Sequence, residues 1–116
     1  IKPSIWLELN KENYRAGETP ELKLTLYRGT SDNTVDLYLV LGGPDGRFYQ
    51  YGTWGEVTGP TVPSFDVMEI ENFEASGCPI TESTAAGAWT YYGAFARPGT
   101  LEVVGDICSA ALQVIR

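Results

Sequence analysis

The stretch V-D-L-Y-L-V-L-G-G-P-D-G-R-F-Y-Q-Y, Val35–Tyr51, read beside N-K-E-N-Y-R-A-G-E-T, Asn10–Thr19, decides the fold class of this chain. Val35, Leu37, Leu39 and Leu41 fall on one side of a period-2 pattern, with Asp36, Tyr38 and Val40 on the other, the signature of a strand that buries one face. Pro44-Asp45-Gly46 then reads as a hairpin turn, because proline presets φ and glycine tolerates positive φ, and Arg47–Tyr51 returns as its partner. Asn10–Pro20 reads as a second turn, pivoting on Gly17. Before it Ile5, Leu7 and Leu9 alternate with Trp6 and Glu8; after it Leu22, Leu24 and Leu26 alternate with Lys23, Thr25 and Tyr27.

Working outward, Arg28–Thr34 is a polar loop and Gly52–Ser64 a Gly-, Pro- and Thr-rich loop with a short edge piece. Phe65–Phe73 is strand-like, and Glu74–Gly87 has no clear period. Trp89–Phe95 alternates as a strand, Arg97-Pro98-Gly99-Thr100 is a turn, Leu101–Val104 is a short strand, and Ala110–Ile115 is the last strand. Turn signals at roughly 10-residue intervals, with no helical period, predict an all-β fold, an immunoglobulin-like antiparallel β-sandwich of seven to eight strands, built as one domain over residues 1–116.

Composition narrows the function. The chain has 116 residues, a hydrophobic fraction of 43% and an aromatic fraction of 12%, a globular profile able to bury a core. Its formal net charge of −7 opposes binding to phosphate backbones and to anionic membranes, so nucleic acid and membrane insertion are not expected. It contains no histidine, which removes the commonest general base and every His-based nucleophilic triad. The chain begins at Ile1 and its only methionine is Met68, so it reads as a processed secreted protein or a module of a longer one. In that setting Cys78 and Cys108, both in turn-like surroundings, are expected to form a disulfide contributing roughly 3–4 kcal/mol. The two lie in connections on either side of Trp89–Phe95, so the bond requires Glu74–Gly87 to run back along the sheet.

The segment Asn13-Tyr14-Arg15-Ala16-Gly17-Glu18-Thr19 resembles the Y-x-P-G-E entry between the first two strands of macroglobulin-type and related immunoglobulin-like domains of bacterial secreted and surface proteins. Val35–Gly46 is similar to the following strand with its P-D-G hairpin, and Trp89–Thr100 to the late G-x-W/Y strand with a P-G turn. Ala16 stands where the pattern has proline, and Cys78 is followed by Pro79-Ile80-Thr81 where thioester chemistry needs Gly-Glu-Gln. The resemblance therefore implies a scaffold fold and excludes protease trapping.

Three groups of residues could carry chemistry. Asp32, Asn33, Asp36, Asp45 and Asp106 supply oxygen ligands but lack calcium-loop spacing, and turn formation accounts for them; no metal or other cofactor is expected. Tyr49, Tyr51 and Trp54 crowd one hairpin, and exposed coplanar rings there could stack on sugars, although alternation sends about half of them to the core. Glu69, Glu71 and Glu82 read as solvated carboxylates and not as a glycosidase pair.

The expected function follows. The chain reads as a non-catalytic structural or interaction module of an extracellular or cell-surface protein. Its partners would be copies of itself or adjacent domains, as in a repeating filament subunit. Ile5, Leu7 and Leu9 form an apolar strand at the N-terminus that could pair with its own sheet or complete a neighbour's. The other function class is a carbohydrate-binding module using Tyr49, Tyr51 and Trp54.

Overall fold

A computed structural model describes residues 1–116. It is all-β, with nine strands: β1 (Ser4–Leu9), β2 (Asn13–Tyr14), β3 (Glu21–Tyr27), β4 (Thr34–Gly42), β5 (Phe48–Gln50), β6 (Val62–Asp66), β7 (Ile70–Ser76), β8 (Gly87–Ala96) and β9 (Val103–Val114). They form two sheets. The smaller has the order β1-β3-β7 and is antiparallel throughout. The larger runs β2-β9-β8-β4-β5, with β6 also on β4. The far edge of β4 is shared: β6 pairs with Thr34–Leu37 and β5 with Val40–Gly42. All pairings are antiparallel except β2 on β9, where Asn13 and Tyr14 lie in parallel beside Gln113 and Val114.

Alternation decides which side chains fill the space between the sheets. Ile5 and Leu7 of β1 and Leu22, Leu24 and Leu26 of β3 point inward from the small sheet. Val35, Leu39, Leu41, Trp89, Tyr91, Phe95, Val104, Leu112 and Val114 meet them from the large one. These residues, with Tyr14, Val67, Cys78 and Ile80, make one continuous apolar cluster. Each fully buried aliphatic side chain in it, such as Leu22, contributes about 1.5–3 kcal/mol of transfer free energy.

The structure differs from the sequence expectation in several places, each with a physical cause. There are nine strands where seven to eight are expected, and the larger sheet is mixed. Phe65–Phe73 is not one strand: Val67 turns inward with no solvent exposure, its N–H donating to the Asn33 carbonyl, and the chain passes from β6 in one sheet to β7 in the other. Leu101–Val104 and Ala110–Ile115 are not separate strands. β9 is continuous through a register shift opposite Gly93/Phe95, where Gly105 adopts φ +77° and its missing side chain leaves room for the Pro3 carbonyl.

Asp36 is buried although its position in the alternation points it outward. It lies where the β4–β6 register shifts, and its two carboxylate oxygens accept from the N–H groups of Ser64 and Gly99 at 3.0 and 2.8 Å. A buried carboxylate is tolerable only with such donors. No buried side-chain nitrogen or oxygen is left without a partner.

Candidate functional site

Surface chemistry is concentrated in two places, both on the larger sheet. The first is its outer face. There Tyr38 and Val40 of β4, Phe48 of β5, Tyr92 and Ala94 of β8 and Ile107 of β9 line a shallow hollow of about 330 Å³. None carries a charge. The flanking cross-strand pairs Thr90–Ala111 and Tyr92–Ser109 add none. Phe48 and Ile107 are 51% and 59% exposed. Gly42 shapes the centre: a β-carbon there would press on Phe48 and Tyr92, whose rings lie 6.1 Å apart at 55°. A charge-free cluster rich in aromatic residues has the composition of an interface centre.

The second place is the end of the sandwich beside the β4–β5 hairpin. Because side chains alternate along β5, Phe48 belongs to the outer hollow while Tyr49 turns to the opposite side and packs on the core. There Tyr49 meets Trp54 edge-on, with ring centroids 5.3 Å apart at 77°, and Trp54 meets Trp89 at 5.4 Å and 74°. Tyr49 and Trp89 lie 6.2 Å apart at 42°. Trp54 donates its indole N–H to the Pro79 carbonyl and Trp89 donates to the Ala85 carbonyl, each at 2.9 Å. The rings border a notch of about 200 Å³ completed by Asp45, Thr81, Ser83, Thr84 and Ala85.

Asp45 stands at this notch with fixed geometry. One carboxylate oxygen accepts from the Arg47 N–H and the other from the Tyr49 hydroxyl, both at 2.9 Å. The Arg47 N–H and then the Tyr49 hydroxyl hold the carboxyl below its ordinary value, and the same hydrogen bond raises the Tyr49 phenol.

The structure thus brings Tyr49 and Trp54 together and adds Trp89, which composition alone does not single out. Tyr51 is not part of this group. It lines a separate depression with Gln50, Thr53, Thr61 and Ser76. The three rings are not coplanar: Trp54 stands nearly perpendicular to Tyr49 and to Trp89, and those two are tilted to each other by 42°.

The expected disulfide is not formed either: both cysteines are free. Each thiol is engaged elsewhere. Cys78 is wholly buried, with Sγ 3.2, 3.3 and 2.9 Å from the carbonyls of Gln50, Tyr51 and Thr53, and its N–H donates to the Tyr91 hydroxyl at 3.0 Å. Burial pushes this thiol up to about 12 and raises the Tyr91 phenol as well. Cys108 is half-buried on β9 and accepts from the Leu7 N–H at 3.3 Å, which ties β1 to the larger sheet.

The N-terminal apolar strand pairs within its own chain. β1 is in register with β3 over six residue pairs from Ser4–Tyr27 to Leu9–Leu22. Ile5 and Leu7 are buried and Leu9 packs against the core.

Asp32 and Asn33 hold loops. Asp32 lies near Lys2 and Arg97 at 3.6 and 3.7 Å. The Asn33 side chain bridges the N–H and the carbonyl of Gly29, both at 2.8 Å. Glu69, Glu71 and Glu82 are exposed.

In comparison with known proteins, the chain matches no protein-family profile and no curated protein.

Proposed function

We propose that this chain is a non-catalytic structural module, an immunoglobulin-like domain of an extracellular or cell-surface protein, that associates with copies of itself. The observation that carries this is the charge-free hollow formed by Tyr38, Val40, Phe48, Tyr92, Ala94 and Ile107 on a chain of net charge −7. Two such chains repel one another, and like charges brought face to face cost binding free energy. Contact through this face is the arrangement that removes apolar surface from water without setting carboxylate against carboxylate. A second copy therefore fits it. The N-terminal strand is a weaker candidate for assembly, since β1 already pairs with β3.

Strand order supports the immunoglobulin-like reading. The sequence β1-β3-β7 against β9-β8-β4-β5 corresponds to strands A, B and E facing G, F, C and C′ of a variable-type sandwich. The hydrogen bond between the Tyr91 hydroxyl on β8 and the upstream Cys78 backbone serves the corner between the two sheets in the manner of that fold.

Sedimentation across a concentration series tests the assignment. The native chain is expected to self-associate, and Tyr92→Asp to sediment as a folded monomer at every concentration. A native chain that stays monomeric into the millimolar range rejects the reading.

A further inference from the structure

The notch at the hairpin end is distinct from the self-association face, and its chemistry is of another kind. We infer that it is a binding site for a small organic cation of the quaternary-ammonium class. Three features select that ligand.

The first is the arrangement of the rings. Trp54 stands nearly perpendicular to both Tyr49 and Trp89, so the walls form aromatic corners and not a plane. A spherical, weakly hydrated cation is attracted by π-electron density from several directions, and tryptophan is the best donor of it. A sugar ring instead needs one broad face. Both indole N–H groups are already spent on backbone carbonyls, so neither is free to read a hydroxyl.

The second is charge. Asp45 is the only carboxylate among the lining residues, and no Lys or Arg lines the notch. Each Asp45 oxygen accepts one hydrogen bond and keeps acceptor capacity toward the notch. The rest of the chain, at −7, adds a field that enriches cations and repels anions.

The third is size. About 200 Å³ is below the usual 300–1,000 Å³ of sites that enclose a drug-sized molecule, so the notch takes a head group and not an extended ligand.

The test is a titration of the intact chain followed through the indole N–H resonances of Trp54 and Trp89, at low ionic strength. The probes are choline, its neutral isostere 3,3-dimethylbutanol, and glucose. Choline is expected to bind saturably. The isostere should bind about 3- to 30-fold more weakly, the range that separates a cation on an aromatic wall from an uncharged group of the same shape. Asp45→Asn, an exposed change that retains the side-chain shape, should weaken choline and leave the isostere unaffected. Trp54→Leu should weaken both. Equal binding of choline and the isostere, saturation by glucose alone, or no saturable shift with any probe overturns the proposal. Vesicles of phosphatidylcholine decide the source: co-sedimentation points to a lipid head group, and choline binding without it to a free solute. Sedimentation of Tyr92→Asp reads the other face, so the two assignments stand or fall separately.

Discussion

The two sheets share one interior, yet their outer faces are built from different material. On the smaller sheet, the register places Lys23 of β3 between Glu8 of β1 and Glu74 of β7, a charged row across all three strands. On the larger sheet, the equivalent middle ground is Tyr38, Val40, Tyr92 and Ala94. Large apolar side chains alone do not make the difference, because Trp6 and Tyr27 are 59% and 50% exposed on or beside the smaller sheet. What differs is their setting. Trp6 lies two residues from Glu8 along β1, on the same face, whereas Phe48 and Tyr92 have only apolar and uncharged neighbours in the hollow. A solitary aromatic among carboxylates is ordinary surface. Aromatics gathered without charge form a surface that gains from being covered.

The largest expected effect lies in the interior that both faces depend on. Cys78 and Tyr91 are held protonated by burial, Cys78 up to about 12 against an ordinary 9.0. The unfolded thiol releases its proton first as pH rises, so the stability from keeping it neutral is complete below about pH 9 and is lost on the way to about 12. Denaturant titrations should show the midpoint falling through that window, and Cys78→Ala should flatten the fall. At pH 8 in native buffer, mass spectrometry should find Cys108 alkylated well before Cys78. Simultaneous labelling of both would contradict the buried environment of Cys78.

Next in size is the direct contrast of faces. Phe48→Ala should weaken self-association by roughly 30-fold or more, as removal of a central aromatic anchor does, while Trp6→Ala changes it less than about 2-fold. Equal effects from the two would erase the distinction drawn between them. Ionic strength sharpens it further: raising salt from about 0.01 to 0.15 M shortens the screening length from about 30 to 8 Å and should strengthen association several-fold. Association through the charged face, by ion pairs, would weaken instead. The smallest effect is on the charged row itself. Lys23→Glu places three carboxylates across β1, β3 and β7 and should cost about 1 kcal/mol in thermal or chemical denaturation, with self-association unchanged.

Much of this architecture is legible in the sequence where a strand is long and buries one face. The leucines of β3, the Val35–Leu41 alternation of β4 and the Trp89–Phe95 alternation of β8 all appear where their periods place them. The unread parts are those set by partners distant in the chain. β2 has only two residues and no period to read; it exists because β9 lies beside it. Asp36 looks solvent-facing until Ser64 and Gly99 bring their N–H groups to it. The free cysteines follow from carbonyls at residues 50–53 closing around Cys78. Tyr49 and Trp54 could be singled out as neighbours of one hairpin, but Trp89 joins them through tertiary packing, with Gly43 leaving space against its ring. The hollow was hidden for a similar reason, since Tyr38, Phe48, Tyr92 and Ile107 become one surface only when β5, β4, β8 and β9 are laid side by side.

The parallel junction of β2 with β9 has a mechanical consequence. Gln113 donates to the Glu12 carbonyl at 2.8 Å and Ile115 to the Tyr14 carbonyl at 2.9 Å, while the Arg15 guanidinium holds the Arg116 carbonyl at 2.7 Å. The two segments run in the same direction, so tension pulling the chain before β2 away from the chain after β9 slides one along the other. These links then share the load together and do not open one after another, as they would if peeled. Stretched in a tandem array by a force probe, the domain should yield at a distinct peak, and Tyr14→Pro, which bends the short strand away from β9, should lower it. Force applied instead across β4 and β5, whose antiparallel hairpin can unzip pair by pair, should meet less resistance in the same fold.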